Sequence, residues 1–266
     1  MTLTAVIIAK NEESNIKECI ASIQFADEII VVDDLSTDAT PEIASTMGAK
    51  VFRRAMNGDY ASQYNYALSQ ATKNWILIID CDERVTPELR DEIIKAIEVD
   101  EQVGYEIANI NFISGQELRY GDWNGKPQLR LFPRGTVYLE GLVHSKYIHN
   151  LPLRRLKHNC LHYPFPTWEK YFNKFNRYTE LSAQDYLRRG KRACFIGDIL
   201  IRPIFAFIKM YILKSGWRDG KIGFILALFH YFYTMTKYVK LYYMQQESEG
   251  PSEICNNGIN RNAWRS

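Results

Sequence analysis

Two aspartates one residue apart, Asp80 and Asp82, follow the apolar run Trp75-Ile76-Leu77-Ile78-Ile79. The run reads as a buried β-strand. In extended backbone, residues i and i+2 share a face, so both carboxylates project together while Cys81 points the other way. Two carboxylates that close repel each other unless a cation relieves them. Hard oxygen ligands with open positions suit Mg2+ or Mn2+ that also carries phosphate oxygens. The same spacing also occurs in solvated turns that cap helices, so the meaning of the pair rests on the elements that position it.

Those elements follow from periodicity. Residues 3–9 and 28–32 are short β-branched runs, and residues 14–24 between them place Ile16, Ile20 and Ile23 at helical spacing. Ser36, Thr37 and Asp38 offer capping oxygens to a helix over residues 41–47, Gly48 ends it, and residues 49–53 read as a third strand. A helix over residues 60–71 precedes the apolar strand at 75–79. Thr86-Pro87 then supplies an N-cap and a first-turn proline to a helix that runs to about residue 98. This alternation implies a parallel sheet with right-handed crossovers and helices on both faces. Ligands in such sheets sit beyond the carboxyl ends of the strands. Polar residues collect at four of those ends, as Lys10-Asn11-Glu12, Asp33-Asp34, Arg53-Arg54 and Asp80-Cys81-Asp82. After residue 103, strand-like residues 105–112, 128–132 and 137–147 surround a polar loop at 114–126 and predict a small mixed extension of the sheet.

The 266 residues carry 33 Lys and Arg against 31 Asp and Glu, a balance that conceals an asymmetry. Residues 1–149 hold 14 basic and 23 acidic side chains, whereas residues 150–246 hold 17 and 5. Residues 195–213 and 222–239 are long, apolar and aromatic, yet Arg202, Pro203, Lys209, His230 and Lys237 interrupt them. Neither offers the roughly 20 clean apolar residues of a transmembrane helix. Helices lying in an anionic membrane surface, with Lys and Arg reaching the phosphate level, fit this composition, and a buried helical cap is the competing reading. The apolar runs are too long for a solvated nucleic-acid-binding face. Five cysteines without a Cys-x-x-Cys pair argue against a disulfide framework and a zinc site, and favour a reducing compartment. The sequence enters a strand-like run at once, without a secretory pattern, which predicts a cytoplasmic protein.

The segments Ile7-Ile8-Ala9-Lys10-Asn11-Glu12-Glu13, Val31-Val32-Asp33-Asp34-Leu35-Ser36-Thr37-Asp38 and Asp80-Cys81-Asp82, in this order, resemble the nucleotide-sugar half of family 2 inverting glycosyltransferases, which have the GT-A fold. Leu129-Arg130-Leu131-Phe132, Glu140-Gly141-Leu142-Val143-His144, Leu161-His162-Tyr163 and two later segments, at 174–179 and 209–214, look like bacterial lipopolysaccharide core β-1,4-glucosyltransferases. The resemblance implies a UDP-sugar donor. Asp34 would accept from the uracil imide, a task that suits a carboxylate, and Ala9, Lys10, Asn11 and Glu12 would line the nucleoside pocket. Asp80 would reach the ribose or a metal-bound water, Asp82 would hold a Mg2+ or Mn2+ ion bridging the phosphates, and Gln63 and Asn65 would close over the nucleotide. His144 and His162 become candidates for an added metal ligand, Arg130 for a phosphate contact or a surface ion pair, and Asp33 for a structural role. Inverting transfer is a single displacement that needs a base for the acceptor hydroxyl. Glu140, beside Gly141, is the candidate, with Asp122 the second. The family it resembles often carries an acid after the histidine, where this sequence has Ser145, which moves the base to Glu140 or Asp122.

Together these readings predict an α/β fold: a GT-A-type, Rossmann-like parallel/mixed sheet with helices on both faces and a C-terminal amphipathic helical extension. Residues 1–100 would form the nucleotide-sugar-binding half and 101–167 the acceptor-side half of one catalytic domain. Residues 168–245 would be a membrane-associating region and 246–266 a tail. The expected enzyme moves a hexose, glucose from UDP-glucose, to a heptose-containing lipopolysaccharide inner-core acceptor. It would be peripheral on the inner face of the cytoplasmic membrane, with linkage specificity in the 114–126 loop. Competing readings are a membrane-associated nucleotide-sugar-binding protein without turnover, and transfer to another glycan or glycolipid. Nucleotidyltransferases and dinucleotide oxidoreductases would need a glycine-rich loop after the first strand, which is absent. A receiver domain would pair its acids at the first strand, not the second.

Overall fold

The computed structural model describes residues 2–99, 101–121, 125–141, 146–164 and 168–249. In chain order the strands and α-helices are β1 (Leu3–Ala9), α1 (Ile16–Ser22), β2 (Glu28–Asp33), α2 (Thr40–Thr46), β3 (Lys50–Arg53), α3 (Tyr60–Gln70), β4 (Trp75–Ile78), β5 (Glu83–Arg84) and α4 (Pro87–Glu98). Then come β6 (Gly104–Ile107), β7 (Asn109–Ile113), β8 (Gln116–Leu118), β9 (Gln128–Pro133), β10 (Tyr138–Glu140), β11 (Lys146–Ile148), β12 (Leu153–Arg155) and β13 (Cys160–His162). The helices α5 (Trp168–Arg188), α6 (Arg202–Ile208) and α7 (Gly220–Glu249) follow. The chain forms two compact units, residues 1–119 with 123–166, and residues 120–122 with 167–266.

In the first unit, a seven-stranded sheet runs in the order β12-β6-β9-β4-β1-β2-β3. Strands β3, β2, β1 and β4 are parallel, and β9 lies antiparallel between β4 and β6. The period of two along β1 and β2 divides the core. Leu3, Ala5 and Ile7 join Ile29 and Val31 on the face covered by Ile16 and Ile20 of α1 and Leu89 and Ile93 of α4. Val6, Ile30 and Val32 turn to the face covered by Ala67 of α3 and by Phe132. Thr86 caps α4 as its spacing predicts, with Oγ1 accepting from the Leu89 N–H at 3.2 Å.

A second sheet, β5-β13-β7-β8, holds the strands that the irregular region obscured. Sequence periodicity gives one strand over 105–112, but the chain parts at Ala108 into β6 and β7, which belong to different sheets. Ile107 and Ala108 are both buried. Two consecutive inward residues break the alternation of a single strand and mark the change of sheet. The expected strand at 137–147 is instead an antiparallel pair, β10 and β11.

The second unit is helical. Residues 195–213 form one helical run in which π-type turns at Phe195–Ile201 and Lys209–Leu213 flank α6. It has its own small core, in which Ala183 of α5, Ile199, and Tyr238 and Leu241 of α7 meet. Among the described residues, no helix is long and apolar enough to cross a membrane.

Candidate active site

The polar residues at the carboxyl edge of the large sheet are joined in two groups. In the first, the loop after β1 is tied to the loop after β2. Asn11 sits at φ 54°, a left-handed conformation that Asn tolerates better than most residues. Its Oδ1 accepts from the Thr37 N–H at 2.9 Å and its own N–H donates to Ser36 Oγ at 2.9 Å. The Glu12 N–H donates to Thr40 Oγ1, and its carboxylate accepts from Asn15 Nδ2. Asp34, nearly buried, accepts from Lys10 Nζ and from the Met56 N–H, each at 2.8 Å. Ala9 is buried in the core and reaches this edge only through its carbonyl, which accepts from the Asp34 N–H. Asp33 is wholly buried, with Oδ2 accepting from the Ser36 N–H.

The second group surrounds Asp80 and Asp82. Strand β4 ends at Ile78, and the chain turns at once: the Glu83 N–H donates to the Asp80 carbonyl, and the Asp80 N–H donates to Glu83 Oε2. The extended i, i+2 geometry therefore does not reach Asp82, and the turn hands the two carboxylates to different partners. Asp80 Oδ1 accepts from the Tyr64 hydroxyl at 2.7 Å and Oδ2 from Arg130 Nη2 at 2.9 Å. Arg130 also binds Glu83 Oε1 at 2.9 Å, and Asn109 Nδ2 binds the same oxygen. Arg130 is thus enclosed between two carboxylates, an ion pair as one of its two sequence readings had it, but buried and not on the surface.

Burial shapes the charges of this cluster. It works against the charge on Arg130, but Glu83 and Asp80 overcome it and keep the guanidinium protonated. Desolvation would raise the Asp80 pKa, yet Arg130 and the Tyr64 hydroxyl hold it below the usual carboxylate range. Burial prevails at Glu83, whose pKa is raised despite Arg130.

Asp82 is held at its carbonyl by the Tyr163 N–H, and its side chain faces His162, with Oδ2 to Nε2 at 3.4 Å. Strand pairing produces this meeting, because β13 sets His162 opposite Glu83 of β5 and Asn111 of β7. His162 Nδ1 donates to Asn111 Oδ1 at 2.6 Å, which fixes the ring and leaves Nε2 to face the carboxylate. Burial alone would lower the His162 pKa, but the Asp82 carboxylate raises it above its ordinary value.

The pair also fits a divalent cation. Neighbouring ligands on an octahedral ion with bonds of about 2.1 Å lie about 3 Å apart, close to the Asp82–His162 separation. Among the described residues, no three His, Cys, Asp or Glu side chains converge on one point. Two protein groups beside phosphates and water are a usual arrangement for Mg2+.

The other sequence candidates divide. Glu140 ends β10, exposed, and lines a cleft with Asp59, Ser62 and Gly141. Gln63 is fully buried and engaged with Arg54, accepting from its guanidinium at 2.6 Å and donating to its carbonyl at 2.8 Å. Asn65 bridges the N–H and carbonyl of Leu139. Both amides are engaged within the protein, and Asn65 also lines the cleft beside Glu140. Asp122 and His144 lie outside the described residues. Sequence reasoning missed Asn111, Glu83 and Tyr64. The spacing of Asn109 and Asn111, two polar residues on one face of an otherwise apolar strand, was the available signal.

The first unit is thus a mixed α/β sheet fold with acids gathered at the carboxyl edge of its parallel strands. Residues 4–162 match the Glycosyl transferase family 2 model, and the chain belongs to that family. It is a glycosyltransferase. It is 29% identical to the lipopolysaccharide core biosynthesis glycosyltransferase LpsC of Rhizobium meliloti, over 91% of this chain and 92% of that protein. It is 28% identical to the uncharacterized glycosyltransferase RT0209 of Rickettsia typhi, over 90% and 86%. Among solved structures, glucosyl-3-phosphoglycerate synthase from Mycobacterium tuberculosis overlaps 42% of this chain and 43% of its own, with 25% identity and a TM-score of 0.34.

Proposed function

We propose that this glycosyltransferase moves glucose from UDP-glucose, with inversion and with a divalent cation, to a heptose-containing inner-core lipopolysaccharide acceptor at the cytoplasmic face of the membrane. The observation that carries the reading is the Asp82–His162 pair, oriented by Asn111 and set at the carboxyl edge of the parallel strands. Asp82 and His162 would hold Mg2+ or Mn2+, which when bound offsets the charge that develops on the departing diphosphate. Arg130, Tyr64 and Glu83 fix Asp80 at the strand end, where it is available to ribose hydroxyls. Asp34 retains lone pairs beyond those used by Lys10 and Met56, enough to accept from a uracil imide. Glu140 is exposed in a cleft beside Gly141, a placement suited to taking the acceptor proton. Similarity to LpsC along nearly the whole chain supports the acceptor class.

The test is a reaction of the purified protein with UDP-glucose and a heptose-terminated lipopolysaccharide, read by UDP release and by NMR of the product. The expected product carries β-linked glucose, and Glu140→Gln loses transfer while keeping donor affinity. Intact UDP-glucose in the presence of acceptor and Mn2+, or an α-linked product, would overturn the proposal.

A further inference from the structure

The helical run of residues 195–213 carries an apolar face that the described residues of its own unit leave exposed. Ile199, Ala206 and Met210 point inward and are less than a tenth exposed. On the other side Ile196, Leu200, Ile204, Ile208 and Ile212 recur at every fourth residue, with exposures of 63%, 45%, 52%, 38% and 56%. This run is therefore apolar on both sides, unlike a surface helix of a water-soluble domain, whose outer face is polar. Phe205, at 56% exposed, widens the outer stripe.

The charge around the stripe is predominantly basic. Arg188, Arg189, Lys191 and Arg192 precede it, Lys214, Arg218 and Lys221 follow it, and all seven are exposed. Arg202 and Lys209, also exposed, lie within the run. Of the acids nearby, Asp185 is paired with Arg189 at 3.0 Å and the other two are turned in. Asp198 binds Arg202 Nε at 2.6 Å and the Cys194 N–H at 2.9 Å, and Asp219 is buried. Trp217, a residue that favours the membrane–water boundary, stands 56% exposed at the C-terminal end.

Two coverings could satisfy an apolar stripe of this kind, and the charges choose between them. A second copy packed on the same stripe about a two-fold axis would set a basic end against a basic end, whether the helices ran parallel or antiparallel. A bilayer rich in anionic phospholipid accepts the stripe in its acyl boundary and both basic ends at its phosphates.

We propose that residues 195–213 lie in the plane of an anionic phospholipid surface and form the membrane-docking element of this protein. The proposal deepens the functional reading above, because a lipid-linked acceptor requires an enzyme held at its surface, but it is measured separately.

The experiment is flotation of the full-length protein with vesicles of phosphatidylcholine alone or with phosphatidylglycerol added. Binding is expected to the anionic vesicles, weakened by salt and much poorer to the neutral ones. The double variant Ile204→Ser/Phe205→Ser, with its fold checked by circular dichroism, is expected to lose at least about tenfold in vesicle affinity. Its UDP release with a soluble, delipidated acceptor should match the wild type. Full binding by the double variant overturns the proposal, as does a dimer that this variant dissolves in the absence of any vesicle binding. Vesicle binding without glucose transfer would leave docking intact and reject only the assigned reaction.

Discussion

The two units of this chain misplace opposite kinds of side chain. At the strand ends of the first, charge is inside: Arg130, Glu83 and Asp33 are all buried. In the helical unit, apolar side chains are outside, with Ile196, Ile204, Phe205 and Leu213 more than half exposed. Folded proteins ordinarily do the reverse in both respects. In the first unit the departure is compensated within the protein, since Arg130 bridges two carboxylates and Asn109 and Tyr64 take further lone pairs. In the second, the described residues supply no such compensation, and in the docking proposed above a membrane surface supplies it. A buried charge network and a bare apolar stripe are therefore different signatures of function. In the proposals above, one fixes groups that would act on a ligand, and the other would meet a membrane.

This contrast makes removal of an interior charge expensive and removal of an exterior apolar group cheap. The largest effect is expected for Arg130→Met, which leaves Asp80 and Glu83 without their shared cation and should cost about 3–5 kcal/mol in urea unfolding. A loss below about 1 kcal/mol would mean that the cluster is not the internally balanced network described here.

Next comes Glu28, nearly buried, which accepts from Lys50 Nζ, Thr4 Oγ1 and both the N–H and hydroxyl of Thr72. Burial would raise its pKa, but these donors lower it from 4.5 to about 2. A carboxyl depressed in the folded state stabilises fully above its unfolded value and loses that contribution as pH falls through the folded value. The stability gap between wild type and Glu28→Gln should thus be about 3 kcal/mol at neutral pH and close progressively between pH 4.5 and 2. A gap independent of pH would contradict the assignment.

The smallest effect belongs to the helical unit. Ile204→Ser and Phe205→Ser should each change unfolding free energy by no more than about 0.5 kcal/mol, as exposed positions do. A loss of about 2 kcal/mol would show that the stripe is core, and would erase the contrast.

Much of the first unit was legible because its signals are local. The alternation of β1 to β4 with α1 to α3, the Thr86 cap and the acids at the strand ends all follow from short-range spacing. The C-terminal helices were legible for the same reason, since the interruption of their apolar runs by Arg202 and Lys209 is visible in the letters alone. What failed depended on pairing between distant segments. Nothing local to 128–133 places β9 antiparallel between β4 and β6, and that placement is what brings Arg130 to Asp80. The resemblance offered Asp82 and His162 to one cation, but their meeting rests on β13 pairing with β5 across nearly eighty residues of chain, which nothing local shows. Gln63 and Asn65 have the composition of an exposed helical face, yet their amides bond to backbone that the sequence does not show to be near.

The central claim is that Asp82 and His162, the latter aimed by Asn111, hold the cation that carries the sugar nucleotide's phosphates. The most direct measurement is Mn2+ affinity in the presence of UDP, by calorimetry or electron paramagnetic resonance, for wild type, Asp82→Asn and Asn111→Ala. Asp82→Asn is expected to abolish measurable binding, and Asn111→Ala, which leaves both ligands in place but unaims the imidazole, to weaken it by about 10–100-fold. Wild-type Mn2+ affinity in Asp82→Asn would contradict the account.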